Sequence, residues 1–279
     1  MSSVEKSFLD MLMTDLENDK LVLPTLPEVA LKVRDTLEDE EASMVDVARV
    51  ITSDAALAAR LIQIANSPLL RASRAIETVE AAVTRMGSNM VRNLVTSIAM
   101  EQMFQATSDA TDKRLREVWE NSTQIAAISS ALAMPHSHLQ ADQALLAGLV
   151  HDIGTLPILS RAEDYPELLN NIAMLDNVIA TAHTRIGEEI LKRWNFNSDL
   201  VNVAAEHENL PRKHDGPADY VDIVIAANLQ NAYGTNHPYA SVNWETVPAF
   251  EKLGLSTEVS SVDMDEANEN IEAIRAALS

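Results

Sequence analysis

Apolar residues recur at helical spacing along most of the chain. From Leu26, the residues Val29, Ala30, Val33 and Leu37 share one face, and Thr25 with Glu28 reads as a capping box around Pro27, which predicts a helix start there. A short helix is expected near Met44 to Ile51. Another starts at Ser53 or Asp54, with Leu57, Leu61, Ile64 and Ala65 on one face before the stop at Asn66-Ser67-Pro68. A helix from Thr78 ends at Gly87, whose missing Cβ suits a left-handed C-cap, and Ser88 opens the next one, which runs to Phe104. The polar stretch Gln105 to Lys113 breaks the period, and beyond it helices are predicted at about 112–133, 140–152, 165–177, 179–194, 198–208 and 218–233. Ser137 to Gln140 is a second capping-box pattern. The pattern predicts an all-α, multi-helical bundle with few or no strands.

The polar stretch divides the bundle into two closely packed parts. The expected organisation is an N-terminal helix or extension (1–19), a helical subdomain (20–106), a second helical subdomain (107–234) and an acidic C-terminal extension (235–279). The last of these carries an amphipathic segment near Asp263 to Leu278, which either docks on the bundle or serves a partner surface.

Composition changes this picture in three ways. With 47% apolar residues the 279-residue chain has ample material for a core, and its 7 glycines and 4% aromatics beside many Ala, Leu and Glu residues favour helix. A formal charge of −21 with no basic stripe repels phosphate backbones and anionic lipid, which argues against direct nucleic-acid binding and against a membrane surface. No apolar run is read as reaching the roughly 18 to 20 residues of a membrane span. The segment Met1 to Lys20 is acidic and amphipathic rather than signal-like, so a cytoplasmic location is expected. Zero cysteines leave His, Asp, Glu and Asn as the available metal ligands.

The chemistry is carried by polar side chains that fall on apolar stripes. His183 sits on the face of Ile179, Ile186, Ile190 and Trp194; His207 and Glu208 share the face of Leu200 and Ala204. Asn228 follows Val224 by one turn, and His151 with Asp152 follows Ala144, Leu145, Gly148 and Leu149. Any one of these alone reads as a core residue bonded to backbone. Together they are harder to accommodate separately, because each desolvation is costly, whereas convergence on one polar pocket between helices accounts for all of them. His136, His138, His214 and His237 fall in predicted loops and receive no role.

The stretch Ala147-Gly148-Leu149-Val150-His151-Asp152-Ile153-Gly154 resembles the His-Asp motif of the HD phosphohydrolase superfamily. Upstream, Leu23-Pro24-Thr25-Leu26-Pro27, Asp54-Ala55-Ala56-Leu57, Ile64-Ala65-Asn66-Ser67 and Ala81-Ala82-Val83 before Gly87 resemble the HDOD family, whose N-terminal half ordinary HD enzymes lack. Trp119-Glu120-Asn121-Ser122, His183 with Gly187 and Trp194, and Ala205-Glu206-His207 extend the likeness over about residues 20–232. The resemblance implies a bacterial signalling module with a metal site drawn from His151, Asp152, His183, His207 and Glu208. It also places Asn121 where catalytic relatives carry a first His and Asn228 where they carry a last Asp, so two of four core ligands become amides.

An amide oxygen is an uncharged, weak donor, and its substitution for imidazole or carboxylate removes charge and affinity from a metal site. Three readings follow. The leading one is a non-catalytic or degenerate HD-type signalling module acting through signalling protein partners or a small ligand in the relict pocket. The second is a metal-dependent phosphohydrolase of a nucleotide or cyclic dinucleotide phosphoester using His151, Asp152, His183 and His207 with a divalent ion (Fe, Mn, Zn or Mg); His183, His207, Glu208 and Glu117, one turn before Asn121, are also read as able to hold a metal at a displaced site. The third is a purely structural polar core with function on the surface.

Overall fold

The computed structural model describes residues 1–67, 75–104 and 109–257 together with Glu272, Arg275 and Leu278. All regular structure among these residues is helical, and no strand occurs among them. Helix α1 (Ser3–Glu17) is followed by α2 (Glu28–Glu38), α3 (Met44–Thr52), α4 (Ala55–Ala65) and α5 (Val79–Met100). Then come α6 (Asp109–Ala133), α7 (Ala141–Val150), α8 (Thr155–Ala162), α9 (Pro166–Leu169), α10 (Ile172–Arg193), α11 (Ser198–Glu206), α12 (Tyr220–Ala232) and α13 (Pro248–Lys252).

Local signals account for most of these boundaries. Asp54 caps α4 by accepting from the amides of Ala56 and Leu57, as one of the two candidate starts requires. Within α5 the backbone breaks at Gly87, where φ is +76° and the chain resumes helically on the far side. Two expected capping boxes do not form. The N-cap of α2 is Pro27, without a side-chain bond, and Glu28 pairs instead with Lys32 at 2.6 Å. Gln140 caps α7 without a side-chain bond, and its amide donates to the Tyr220 hydroxyl at 2.9 Å. The boxes that do form are Ser2 with Glu5, Ser43 with Asp46, and Asp219 with Asp222.

The largest correction lies between 155 and 194. The predicted break between helices 165–177 and 179–194 is absent: from Ile172 the chain is one continuous helix, α10, whose buried stripe Leu175, Val178, Ala182, Ile186 and Ile190 runs through it, while the start of the first predicted helix is the separate short α9. Before it stands the short α8, six of whose eight residues are buried while Ser160 and Arg161 face outward. The apolar segment Ala141–Ala162 is, against expectation, long and apolar enough for a membrane span; 83% of that window is buried inside the protein, which accounts for its apolarity. The amphipathic segment expected at Asp263 to Leu278, the acids from Asp263 to Glu272 apart from Glu272 itself, and residues 105–108 of the expected boundary lie outside the described residues.

One hydrophobic core runs from Phe8 on α1 to Phe250 on α13. In the N-terminal half, α2, α3 and α4 pack on α5, and α5 in turn lies on α7. The second half is built around the α6–α7 pair, with α12 against both and α10 and α11 closing the remaining side. Helix α1 crosses to α10: Phe8 meets Tyr165 edge-on at 4.8 Å, and the Asn177 amide donates to Glu5 at 3.0 Å. The halves are also tied at Trp194, whose indole donates to Pro24 O at 3.1 Å and whose carbonyl accepts from Arg34 at 3.0 Å.

Candidate functional site

Five helices bring their polar residues to one place. Helix α7 ends at Val150, and the turn that follows carries His151 and Asp152; α10 carries His183 in its interior; α11 ends in His207 as its C-cap, followed by Glu208. Helices α6 and α12 supply Asn121 and Asn228.

Glycine makes the approach of these elements possible. A Cβ on Gly148 would stand 2.6 Å from the Cα of Ala126, so α7 lies directly on the backbone of α6. A Cβ on Gly154 would stand 1.9 Å from the carbonyl oxygen of His183, so the turn after Asp152 is pressed against α10 where that helix carries its histidine. A clamp fixes the third element. Arg212 binds Glu206 at 2.6 Å and both oxygens of Asp219 at 3.1 and 2.7 Å, joining the end of α11 to the N-cap of α12. Although burial opposes charge on Arg212, its bonds to Asp219 and Glu206 raise its pKa; Asp219, also partly buried, is held below the usual carboxylate range by Arg212. His214 adds a 2.8 Å contact to the fully buried Asp222 in the same clamp.

The three central imidazoles share one orientation. His151 Nδ1 lies 2.7 Å from Gly148 O, His183 Nδ1 2.7 Å from Ile179 O, and His207 Nδ1 2.9 Å from Val203 O. A carbonyl oxygen only accepts, so each Nδ1 carries a proton and each neutral ring presents its lone pair at Nε2. Those lone pairs converge on one carboxylate. His151 Nε2 is 3.3 Å from Asp152 Oδ2, while His183 and His207 Nε2 are each 3.3 Å from Asp152 Oδ1 and 3.2 Å from one another. Burial alone would raise the Asp152 pKa, but a second proton on a neighbouring ring, on His151 above all and then on His207 or His183, adds a positive charge and a hydrogen bond that hold it well below the usual carboxylate range.

Such an array has acceptors on every side and no donor between them when the rings are neutral. The three rings are only 1–2% exposed and the Asp152 side chain 25%, so little bulk water reaches the facing lone pairs. A second proton on one ring, or a bound cation, relieves the repulsion. Donors bonded to one ion at about 2.0–2.1 Å stand roughly 3.0–3.4 Å apart, the range of the contacts among His183, His207 and Asp152. Glu208 Oε1 lies farther out, 3.8 Å from His183 Nε2 and partly exposed. Glu117 does not join the group; it is exposed and pairs with Arg114 at 3.3 Å and Lys113 at 3.6 Å.

A cavity of about 280 Å³ opens beside this array, lined by His151, Asp152, His207 and Glu208 together with Asn121 and Asn228. His183 is not among the residues that line it. Asn231, Thr235, His237 and Tyr239 complete the wall, and among the described residues no lysine or arginine lines it. None of these four was legible as a site residue. Asn231 had a usable signal, since it follows Asn228 by three residues on α12 and its amide donates to Asn121 Oδ1 at 3.0 Å. His237, read as a loop residue without a role, and Tyr239 stand in irregular chain with no period to mark them.

An all-helical bundle that gathers a His-Asp pair and two further histidines from neighbouring helices around a small cavity defines the class of protein. The model of the HDOD domain matches residues 23–210, and the chain belongs to the HDOD family. A solved structure from Shewanella amazonensis, described as a candidate metal-dependent phosphohydrolase, is 33% identical with a TM-score of 0.88, all of each chain being covered. An HDOD domain protein of unknown function from Geobacter sulfurreducens, 22% identical over 99% of this chain and 97% of its own, has the same fold at a TM-score of 0.64. An uncharacterised Treponema pallidum protein is 25% identical over 224 residues, which are 74% of this chain but 42% of that protein's length.

Proposed function

We propose that this chain is a signal-transduction module that uses the converged His-Asp centre to hold a divalent cation and the adjoining cavity to take up a small ligand, with little or no phosphoester turnover. One observation carries the reading: the cavity that His151 and Asp152 line is also lined by the amides Asn121 and Asn228, uncharged groups that neither hold a second ion strongly nor act as general base. His151, His183 and His207 with Asp152 would hold the ion, and a nitrogen-rich donor set of this kind suits Fe, Mn or Zn better than Mg. A bound cation would supply Lewis-acid stabilisation to an oxygen of the ligand. Asp152 supplies the negative charge, the carbonyls of Gly148, Ile179 and Val203 fix the ring tautomers, and the surrounding helices exclude water from the three imidazoles. The bound and free states would then be read by signalling partners on the surface.

A second reading, metal-dependent phosphohydrolysis, is favoured by the completeness of the three-imidazole, one-carboxylate array and by the description of the Shewanella relative. Metal content and turnover of a phosphodiester by the parent protein and by Asn121→His/Asn228→Asp separate the two. The expected result is about one equivalent of metal and no turnover in the parent, with tighter metal binding in the double variant. Robust metal-dependent turnover in the parent, abolished in His151→Ala, overturns the proposal; an absence of metal in both proteins removes the cation from it.

A further inference from the structure

We propose that Tyr239, with His237, is a specificity-determining pair of neutral donors that selects a small oxyanion-bearing ligand for the cavity. The inference rests on the cation reading above and adds to it residues beyond the 23–210 stretch matched by the family model. After α12 the chain forms two short turns, Pro238–Ser241 and Trp244–Thr246, and then α13. This segment is not a loose tail. Val247, Ala249, Phe250 and Leu253 are buried, Trp244 stacks on Phe250 at 4.8 Å, and α13 packs on α12. That anchoring fixes the turn at Pro238 and with it the wall of the cavity.

The hydrogen-bond roles in that turn are determined. His237 Nδ1 accepts from the backbone amide of Tyr239 at 3.2 Å, so the neutral ring carries its proton at Nε2 and is a donor there. The rings of His237 and Tyr239 meet edge-on at 4.9 Å, which holds the two together. The Tyr239 hydroxyl lines the cavity and makes no hydrogen bond to any described residue; the Asn228 amide makes none either. Burial, then the charges of Glu208 and Asp152, raise the Tyr239 pKa, so the hydroxyl keeps its proton and is available to donate.

The lining of the cavity is therefore complementary to one kind of ligand. The carboxylates of Asp152 and Glu208 and the uncharged donor groups of Tyr239, His237 and Asn228 line the same space. A group with several acceptor oxygens, drawn in by a cation held at the centre, meets these donors. With no Lys or Arg at the wall among the described residues, an oxyanion depends on the centre for its charge and on Tyr239, His237 and Asn228 for its orientation. At about 280 Å³ the space is at the small end of ligand pockets, which run from roughly 300 Å³ upward, and suits one oxyanion with a short attached group rather than a dinucleotide.

Calorimetric titration tests this on the 279-residue chain loaded with Mn²⁺, with inorganic phosphate and acetate as parallel probes that distinguish a phosphoryl from a carboxylate group. Parent, Tyr239→Phe and His237→Ala are compared, with Mn²⁺ affinity and thermal midpoint measured for each. The parent is expected to bind at least one anion, and Tyr239→Phe to weaken it about 10-fold, the effect of losing one hydrogen bond to a charged acceptor, with Mn²⁺ affinity unchanged. His237→Ala gives the same direction and serves if Tyr239→Phe fails to fold. A parent that takes up Mn²⁺ but neither anion, or variants within about twofold of the parent, overturns the donor pair while leaving the cation reading intact. A parent that takes up no Mn²⁺ overturns both.

Discussion

At the scale of single residues, the centre is organised by what each side chain is forbidden to do. Three backbone carbonyls take the Nδ1 protons, so three Nε2 lone pairs have to face Asp152. None of this is visible in the sequence, which shows the histidines on apolar faces but not which ring nitrogen each commits to the backbone. Glycine is the other determinant at this scale. Gly154 permits the contact that sets Asp152 beside His183, and the atoms a methyl group would meet are main-chain atoms of α10 that cannot swing aside. Gly154→Ala is expected to lower stability by about 1–3 kcal/mol or more, as overpacking does, and to weaken metal uptake at the same time. Urea unfolding together with metal analysis checks this; an unchanged midpoint with full metal content would remove the role given to the close approach.

At the scale of helices, the amphipathic pattern was a sound guide wherever one face meets solvent, as in α2, α3 and α4. It failed for α8, an eight-residue helix that turns only Ser160 and Arg161 outward, too short a polar face to set a period, and Pro157 in its first turn reads as a breaker. It also divided α10 in two. Helix α1 illustrates a different gap: its amphipathic face is legible, but its docking partner is not. Phe8, Leu12 and Leu16 are buried against the second half of the chain rather than against the neighbouring α2. Because α1 braces the helix that carries His183, Phe8→Ala is expected to cost about 3–5 kcal/mol of global stability. The measurement is the urea midpoint of the whole chain. A loss confined to helical signal from the N-terminus, with no shift in the main transition, would show α1 to be an appendage.

At the scale of the whole molecule, the core is continuous from α1 to α13, and the two halves are tied at α5–α7 and around Trp194. Cooperative unfolding is the expected consequence. Trp119, Trp194 and Trp244 sample different regions, so tryptophan fluorescence and far-ultraviolet circular dichroism are expected to report coincident denaturant transitions. Two separated transitions would show that the polar stretch from Gln105 to Lys113 divides the chain energetically as well as in sequence.

The all-helical class, the HDOD family and the residues of the polar centre were determined by the sequence alone, because periodicity, the His-Asp motif and polar groups on apolar faces are local properties that survive without coordinates. Tertiary structure alone decided the rest. It selected which ring nitrogens face one another, excluded Glu117, made α1 a brace for α10, and brought Thr235, His237 and Tyr239 to the cavity. The reason is physical: hydrogen-bond commitment, close backbone approach and the return of irregular chain to a distant wall depend on contacts between elements, and these are not encoded in any one segment's pattern.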